Sequence, residues 1–350
     1  MTPERIVVVA PNWLGDAVMA LPALADLRRH FADAHLAVAA RGSVAPLFNM
    51  VEGVDEIVSL PGRGGWRGLM SWTADAAVLA DGRFDVALLL PNSFATALTA
   101  RRAGIRDRWG FAADWRGRLL TRAVKKPATA SHQATYYQAL TTALGCEAGP
   151  QFATVRTDPS KASHLLRDIG LDVDEPFVVF APGAAYGKAK QWLPERFAEL
   201  AGLIIRERGW SVVLVGSAAD RATCEDIRAR LPAEGSRINR LIDLSGKTDL
   251  ATLAGVLALA HSVVSNDSGA MHLAGAMGTR VVAIFGATDE TRTSPLTASA
   301  AAAAPAIVTH QVFCRPCMLR ECPIDHRCMR GVTARAALEA ISLPPSAFRE

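Results

Sequence analysis

The sequence predicts an α/β protein made of two doubly wound domains, and three observations support this fold class. At 350 residues the chain is long enough for two domains that each bury a core. Short apolar runs alternate with helical patterns, as they do in repeated β-α units around a buried parallel sheet. The alternation pauses between Cys146 and Pro176, where Gly-Pro and Asp-Pro pairs indicate a linker. We therefore expect domains at residues 1–172 and 173–350.

The individual elements follow from the same alternation. In the first domain, strands are predicted at Ile6–Ala10, Leu36–Ala40, Ile57–Leu60 and Val86–Leu90, with helices at Asp16–Phe31 and Phe94–Arg102. In the second, strands are predicted at Phe177–Ala181, Ser211–Val215, Leu241–Leu244, Ser262–Ser265 and Arg280–Phe285. Helices between them are predicted at Pro194–Arg208, Asp220–Arg230, Leu250–Leu257 and Ser268–Met277. The alanine-rich stretch 298–306 is predicted to be a loop, and the last helix is expected to be able to pack back on the first domain. Ligands of such folds bind at the carboxyl ends of the strands, here also in the cleft between domains.

Composition and charge restrict the class of protein. The chain is 50% apolar and 21% charged, which is typical of a globular protein, and no apolar run reaches the roughly 18 residues of a membrane span. Glu4 and Arg5 precede the first apolar run, so we expect no signal peptide and a cytoplasmic protein. A formal net charge of +4 gives no general argument for nucleic-acid binding.

Basic residues are concentrated between Arg101 and Lys126. Seven arginines and two lysines stand there against Asp107 and Asp114, a local net charge of +7. Such a run is compatible with a solvated helical face. Arginine predominates, however, and its planar guanidinium suits carboxylates and phosphates. We therefore predict an anion-binding surface in this stretch.

The first candidate site follows the first predicted strand. Gly15 suits a tight turn between strand and helix, and the helix is expected from Asp16 onward. Asp16 can cap that helix through backbone N–H groups. Alternatively, it is a carboxylate at the carboxyl edge of the sheet that takes a proton from a bound hydroxyl. No GxGxxG stands here, so the dinucleotide-binding fingerprint is absent.

Two further segments belong to the second predicted domain. A β-branched strand leads into Asp267, Ser268 and Gly269 at the start of a helix of small residues, whose N–H groups and dipole can bind a phosphate without a metal. Asp267 repels a phosphate, so it either caps the helix or accepts hydrogen bonds from sugar hydroxyls. The loop after the first strand of this domain carries Lys188 and Lys190 to the same edge. It is either a solvated surface loop or part of one anion site with the helix.

The cysteines are a separate signal. The chain has six, at positions 146, 224, 314, 317, 322 and 328. The last four, with His326 among them, have the density of a zinc or iron–sulfur site, but their spacing lacks a paired CxxC knuckle. In a reducing cytoplasm we predict structural thiols for this cluster, with metal binding as the alternative, and core positions for Cys146 and Cys224.

Six segments resemble, in order, the successive motifs of the ADP-heptose:lipopolysaccharide heptosyltransferases of glycosyltransferase family 9. They are PNWLGDAVMALPAL, LPNSFATALTARRAGIRDRWGF, PGAAYGKAKQW, LSGKTDLATLAGVLALA, VSNDSGAMHLAGAMGTRVVAIFGAT and CRPCMLRECPIDHRCM. The resemblance extends from about residue 5 to residue 332. NDSGAMH and PNSF are specific to this group, whereas the strand-glycine turns are not.

The resemblance implies a GT-B fold, in which two Rossmann-like domains face each other across a cleft, and metal-independent transfer without a cofactor. It makes Asp16 the base that deprotonates the acceptor for inversion at the anomeric carbon. Lys190 is expected to neutralise the leaving ADP, and Asp267 to hold the heptose hydroxyls. The other implied contacts are Ser268, Gly269 and Ala270 at the diphosphate, Asp220 at the ribose and Thr248 at the adenine. The family usually has glutamate in the region of Asp220.

The resemblance also implies the substrates. The donor is ADP-L-glycero-D-manno-heptose on the second domain, and the acceptor is lipid A that bears Kdo and one heptose, on the first. Acceptor contacts are expected from Arg63, Arg67, Arg101, Arg116 and His132, because Kdo carboxylates and core phosphates are anionic. A peripheral contact with the anionic inner face of the cytoplasmic membrane is also expected.

Three other functions are compatible with parts of the sequence. Heptosyltransferase I or another core heptosyltransferase has the same donor site, and PNSF with the cysteine cluster favours the second heptosyltransferase over these. A non-catalytic sugar- or nucleotide-binding protein has no need to retain Asp16, Lys190 and Asp267 together. A metal-binding redox module near the carboxyl end is the third alternative.

Overall fold

The computed structural model describes residues 3–61, 68–231 and 240–342 of the chain. It divides into two compact units, Met1–Val155 and Arg156–Glu350. Each unit is an α/β domain built on one parallel sheet of six strands. Among the described residues, every helix is too short or too polar to span a bilayer.

The first unit has the strand order β3-β2-β1-β4-β5-β6. Its strands are β1 (Arg5–Val9), β2 (His35–Arg41), β3 (Glu56–Leu60), β4 (Val86–Leu89), β5 (Asp107–Phe111) and β6 (Arg122–Val124). Its helices are α1 (Leu14–Met19), α2 (Leu21–His30), α3 (Ala45–Phe48), α4 (Gly68–Asp81), α5 (Phe94–Arg102) and α6 (Gln133–Ala143). Because all pairs are parallel, the loops that follow the strands all leave from one edge, which we call the carboxyl edge. The order reverses between β1 and β4, where ligands of doubly wound sheets bind.

The second unit has the order β12-β11-β10-β7-β8-β9, again parallel throughout. Its strands are β7 (Phe177–Ala181), β8 (Ser211–Leu214), β9 (Leu241–Asp243), β10 (Ser262–Asn266), β11 (Arg280–Phe285) and β12 (Ala306–Thr309). Its helices are α7 (Ser160–Asp168), α8 (Pro194–Arg208), α9 (Arg221–Arg230), α10 (Leu250–Leu259), α11 (Gly269–Ala276), α12 (Glu290–Thr293), α13 (Arg327–Arg330) and α14 (Ala334–Ser342). Here the order reverses between β10 and β7.

Helix α8 illustrates how local sequence produces these elements. Pro194 stands in its first turn, where no N–H is needed, and Gly209 ends it in the left-handed region at φ +67. Its buried face includes Phe197, whose ring packs edge-on against fully buried Trp192, with ring centroids 4.9 Å apart. Burial of such aromatic surface stabilises the unit by roughly 2–3 kcal/mol per side chain.

The structure differs from the predicted organisation in two ways. The unit boundary lies before α7 instead of after residue 172, because α7 packs against α10 of the second unit. Strands β5, β6 and β12 were not predicted, since DRWGF and RAV lack a continuous apolar run and Ala306–Thr309 borders the alanine-rich loop. Helix α14 contacts α8 and β12 of its own unit, and its expected packing on the first domain stays a prediction.

Asp26 gives a stability prediction for the first unit. This carboxylate is only 1% exposed and accepts hydrogen bonds from Gly149 N (2.9 Å) and Gln138 Nε2 (2.8 Å), while also pairing with Arg29. Asp26→Ala leaves these donors unpaired, so we expect the free energy of unfolding to fall by about 3 kcal/mol in urea denaturation. Asp33→Ala, at an exposed position, is the control and should change it little. Equal effects of the two substitutions would contradict this role.

Candidate functional site

Three neighbouring loops of the second unit meet at one carboxylate. Asp267 follows β10, and its Oδ2 accepts hydrogen bonds from Lys190 Nζ at 2.6 Å, in the loop after β7, and from Thr288 Oγ1 at 2.8 Å, after β11. The side chains of Lys190 and Asp267 are only 14% and 6% exposed. His272 Nε2 lies 3.9 Å from Asp267 Oδ1. The predicted diphosphate and sugar residues therefore form one nearly buried ion pair.

The loop that carries Lys190 is fixed by the residue next to Asp267. Buried Asn266 donates from Nδ2 to the carbonyl of Pro182 (2.6 Å), and its Oδ1 accepts from the backbone N–H of Trp192 (2.9 Å). Both ends of the loop at residues 183–191 are thus held by one amide. Neither Asn266 nor Thr288 was predicted as a site residue, although both belong to the segment VSNDSGAMHLAGAMGTRVVAIFGAT.

The amino terminus of α11 lies directly after Asp267. Its N-cap residue, Ser268, makes no side-chain capping hydrogen bond, and its Oγ lies 3.0 Å from Ser265 Oγ. Asp267 does not cap the helix either, so that alternative is wrong. Ser268, Gly269 and Ala270 are partly exposed, and N–H groups at a helix start attract anions. The structure thus brings the predicted diphosphate contacts next to Lys190.

The two predicted nucleoside contacts follow two further strands of this sheet, β8 and β9. Asp220, after β8, closes a capping box: its Oδ2 accepts from Ser217 N (2.8 Å) and Oγ (2.7 Å). It also lies against Gly183, where a Cβ would stand 2.5 Å from Asp220 Oδ1. Thr248, after β9, is partly exposed just before the N-cap of α10. Both therefore lie at the carboxyl edge, and their ribose and adenine roles stay predictions.

In the first unit, Asp16 lies at the carboxyl edge of β1. Helix α1 begins at Leu14, so Gly15 is inside the helix instead of in the predicted turn. Asp16 is not the N-cap; it stands in the first turn, where a carboxylate is favoured by the helix dipole. The side chain is half-buried. Helix α1, which carries Asp16, contacts α6. Burial raises the pKa of the Tyr137 hydroxyl in α6, and the negative charge of Asp16 raises it further.

The prediction that Arg116 contacts the acceptor is wrong. The side chain is fully buried, and desolvation lowers its pKa to about 10, which leaves it charged at neutral pH. Its guanidinium donates to the carbonyls of Leu89 (3.4 Å), Pro91 and Phe111 (2.9 Å) and to Asn92 Oδ1 (3.2 Å). Asn92 in turn donates to the Tyr136 hydroxyl at 2.7 Å. Arg116 therefore holds the PNSF loop in place, and its fully buried side chain does not reach the surface.

The direction of helix α5 determines where Arg101 lies in the first unit. Helix α5 begins at the carboxyl edge, capped by Ser93, and runs to the opposite edge. Arg101 stands in its last turn, about 11 Å along the helix from Phe94 and away from the carboxyl edge, and an acceptor contact by Arg101 stays a prediction. The predicted basic surface is therefore divided: Arg101 and Arg102 stand at the far end of α5, whereas Lys125 and Lys126 follow β6 at the carboxyl edge.

The other predicted acceptor residues have mixed outcomes. His132 is the N-cap of α6, and its Nδ1 accepts a hydrogen bond from the Ala134 N–H at 3.2 Å. An acceptor contact by His132 stays a prediction. Arg63 and Arg67 lie outside the described residues.

The cysteines are free thiols throughout the described chain. Burial raises the pKa of Cys146 to about 11 and of Cys224 to about 12, as expected for core residues. Cys314, Cys317, Cys322 and Cys328 line one small cavity with His326. Within the described residues, no group of three or more His, Cys, Asp or Glu side chains is arranged to hold a metal ion.

Comparisons with known proteins agree with this geometry. A profile of glycosyltransferase family 9 (heptosyltransferase) matches residues 75–326. Lipopolysaccharide heptosyltransferase 2 of Escherichia coli is 31% identical over 305 residues, which cover 83% of this chain and 85% of that protein. Its counterpart in Salmonella typhimurium is 32% identical with the same coverage. The solved structure of E. coli ADP-heptose LPS heptosyltransferase II has a TM-score of 0.81 at 27% identity, with 97% of each chain covered.

These matches define the class of the protein. Two doubly wound domains with polar residues at a strand-to-helix junction are typical of enzymes that use nucleotide-linked substrates. The chain belongs to glycosyltransferase family 9, the heptosyltransferases. The predicted fold class is confirmed.

The ion pair of Lys190 and Asp267 gives a second stability prediction. Asp267→Asn leaves a largely buried ammonium without its carboxylate, so we expect the free energy of unfolding to fall by about 3 kcal/mol. The matched control is Glu207→Gln, which breaks an exposed pair with Arg335 at 2.8 Å and should change it by less than about 1 kcal/mol. Urea denaturation of both variants measures the difference. Equal losses of unfolding free energy would show that the buried pair stabilises the fold no more than an exposed pair does.

Proposed function

We propose that this chain is an inverting heptosyltransferase, which moves heptose from ADP-L-glycero-D-manno-heptose onto the first heptose of the lipopolysaccharide inner core. Family membership and the relatives' names support the reaction class. The observation that carries the proposal is the ion pair of Lys190 with Asp267 beside the α11 amino terminus. One cation, one carboxylate and the N–H groups of a helix start lie together there, and a bound sugar diphosphate would use all three.

The diphosphate half of the donor requires neutralisation. Lys190 and the N–H groups at residues 268–270 supply positive charge to the phosphates. Lys190 also offsets the repulsion between the phosphates and Asp267, because it already contacts that carboxylate. Asp267 can then accept hydrogen bonds from heptose hydroxyls.

The nucleoside half extends along the sheet. Asp220 follows β8 and Thr248 follows β9, which are the second and third strands from β10 in the sheet order. At about 4.8 Å between strands, β9 lies about 14 Å from β10. This direction is compatible with a diphosphate at β10, a ribose at β8 and an adenine at β9.

The chemical step is a single displacement. Asp16 removes the proton from an acceptor hydroxyl, whose oxygen forms a bond to the anomeric carbon of the heptose. The bond from that carbon to the diphosphate oxygen breaks, and its electron pair leaves with ADP. Lys190 and the α11 amino terminus stabilise the charge on the leaving group. Attack opposite the leaving group inverts the anomeric configuration.

Exposed aromatic and basic side chains support contact with a membrane that holds the lipid acceptor. Trp13, Phe94 and Trp115 follow β1, β4 and β5 at the carboxyl edge of the first unit, and Trp115 is 96% exposed. Lys125 and Lys126 follow β6 at the same edge. Indole rings favour the interfacial region of a bilayer, and lysines attract anionic headgroups. We propose that these exposed side chains contact the inner face of the cytoplasmic membrane.

An acceptor series tests the proposed reaction. Incubated with ADP-heptose, the protein should release ADP with Kdo-lipid A that bears one heptose, and not with acceptors that bear none or two. Asp16→Asn should reduce transfer at least about 100-fold, because the base is lost while ADP-heptose still binds. ADP release with the acceptor lacking heptose would indicate the first heptosyltransferase instead, and full activity of the variant would remove Asp16 as the base.

Vesicle binding tests the membrane contact. Lys125→Glu/Lys126→Glu should lower partitioning to phosphatidylglycerol vesicles at least about tenfold, because each lysine contributes about 1 kcal/mol near an anionic surface. Trp115→Ala should weaken binding in a way that added salt does not mimic. The matched control is Arg101→Glu/Arg102→Glu, an exposed basic pair at the opposite edge, which should leave binding within about twofold. A larger effect of the control would place the membrane at that other edge.

A further inference from the structure

The cysteine-rich segment, residues 314–328, contacts the loop that carries Lys190. Both backbone groups of Ala189 are paired with it: the N–H donates to the carbonyl of Arg320 (3.0 Å), and the carbonyl accepts from Nε2 of His326 (2.9 Å). The hydroxyl of Tyr186 donates to the carbonyl of Met318 at 3.1 Å. The residue immediately before Lys190 is therefore held on both sides by this segment.

The loop that carries Lys190 and the cysteine-rich segment approach each other closely at Gly187. A Cβ on Gly187 would stand 2.4 Å from the carbonyl oxygen of Arg320, so only glycine fits there. Met318 and His326 have positive backbone φ angles of 56° and 59°, a conformation that residues other than glycine rarely adopt. Such strain persists only where surrounding contacts determine the conformation, and it is concentrated at functional sites.

The same segment supports a second loop of the donor site. The N–H of Met318 donates to the carbonyl of Ala287 (2.8 Å), and Nε of Arg315 donates to the carbonyl of Gly286 (2.8 Å). The next residue, Thr288, donates to Asp267. The cysteine-rich segment thus backs two of the three loops that meet at this carboxylate.

We propose that His326 is a positioning residue for Lys190. Its Nε2–H fixes the carbonyl of Ala189, and this peptide sets the direction in which the Lys190 side chain leaves the backbone. The thiols pack behind it: the cavity beside His326 is lined by four cysteines, and the N–H of His326 donates to Cys322 Sγ at 3.3 Å. The proposal rests on the proposed role of Lys190 at the donor diphosphate, and it gives the cysteine-rich segment a purpose that requires no metal.

A double-mutant cycle on ADP affinity tests this inference. His326→Ala should weaken ADP binding about tenfold in calorimetry, as expected for one lost hydrogen bond that orients a charged group. Lys190→Ala should weaken it further. If His326 acts through Lys190, the double variant should bind ADP with the affinity of Lys190→Ala. Removing His326 has no further effect once the side chain that it orients is absent. His326→Gln, which can still donate to the Ala189 carbonyl, should recover most of the affinity.

Two more variants keep the test decisive. Gly187→Ala disturbs the same contact from the loop side and should also be non-additive with Lys190→Ala. His164→Ala, an exposed histidine of α7, is the matched control and should leave ADP affinity unchanged. Additive losses for His326 and Lys190, or full affinity in His326→Ala, would overturn the positioning role. Normal ADP binding by Lys190→Ala would instead overturn the proposed diphosphate contact itself.

Discussion

The central constraint in this protein is a carboxylate held where a diphosphate is expected. Asp267 is nearly buried beside the start of α11, and a bare negative charge there would repel phosphates. Its ion pair with Lys190 removes that conflict, and Thr288 satisfies the same oxygen. Because a desolvated pair contributes only when its geometry is maintained, the loops that carry these three residues must be fixed precisely relative to one another.

Much of the second unit is arranged to meet this requirement. Asn266 fastens both ends of the Lys190 loop, and the cysteine-rich segment supports it from behind through Ala189 and Tyr186. The first unit uses a comparable device with a different residue type. Buried Arg116 donates hydrogen bonds to three carbonyls at or just after strand ends and to Asn92. The sequence suggested that this guanidinium binds a ligand, but in the structure it fixes a loop.

Sequence patterns predicted residues that follow apolar strands, but they did not predict residues whose positions depend on long-range contacts. Asp16, Lys190 and Asp267 could be proposed from the sequence because each follows an apolar strand or stands in a motif, and parallel strands bring such positions to one edge of their sheet. The contacts of Thr288 with Asp267 and of His326 with Ala189 could not be predicted, because they join residues 21 and 137 positions apart in the chain. Strand β5 was missed since its residues form a strand through pairing with β4 and β6, although DRWGF shows no β pattern of its own.

Sequence alone determined the fold class and the edges at which chemistry is expected, because hydrophobic periodicity and strand-to-helix junctions are local properties. Tertiary structure decided which charges are available to a ligand. Arg101 and Arg116 are equivalent basic residues in the sequence, but helix direction places one at the far edge and burial encloses the other. Lys190 and Asp267 carry opposite charges in separate motifs, and only the folding of β7 next to β10 makes them a pair. Such outcomes depend on distances across the chain, which no local pattern contains.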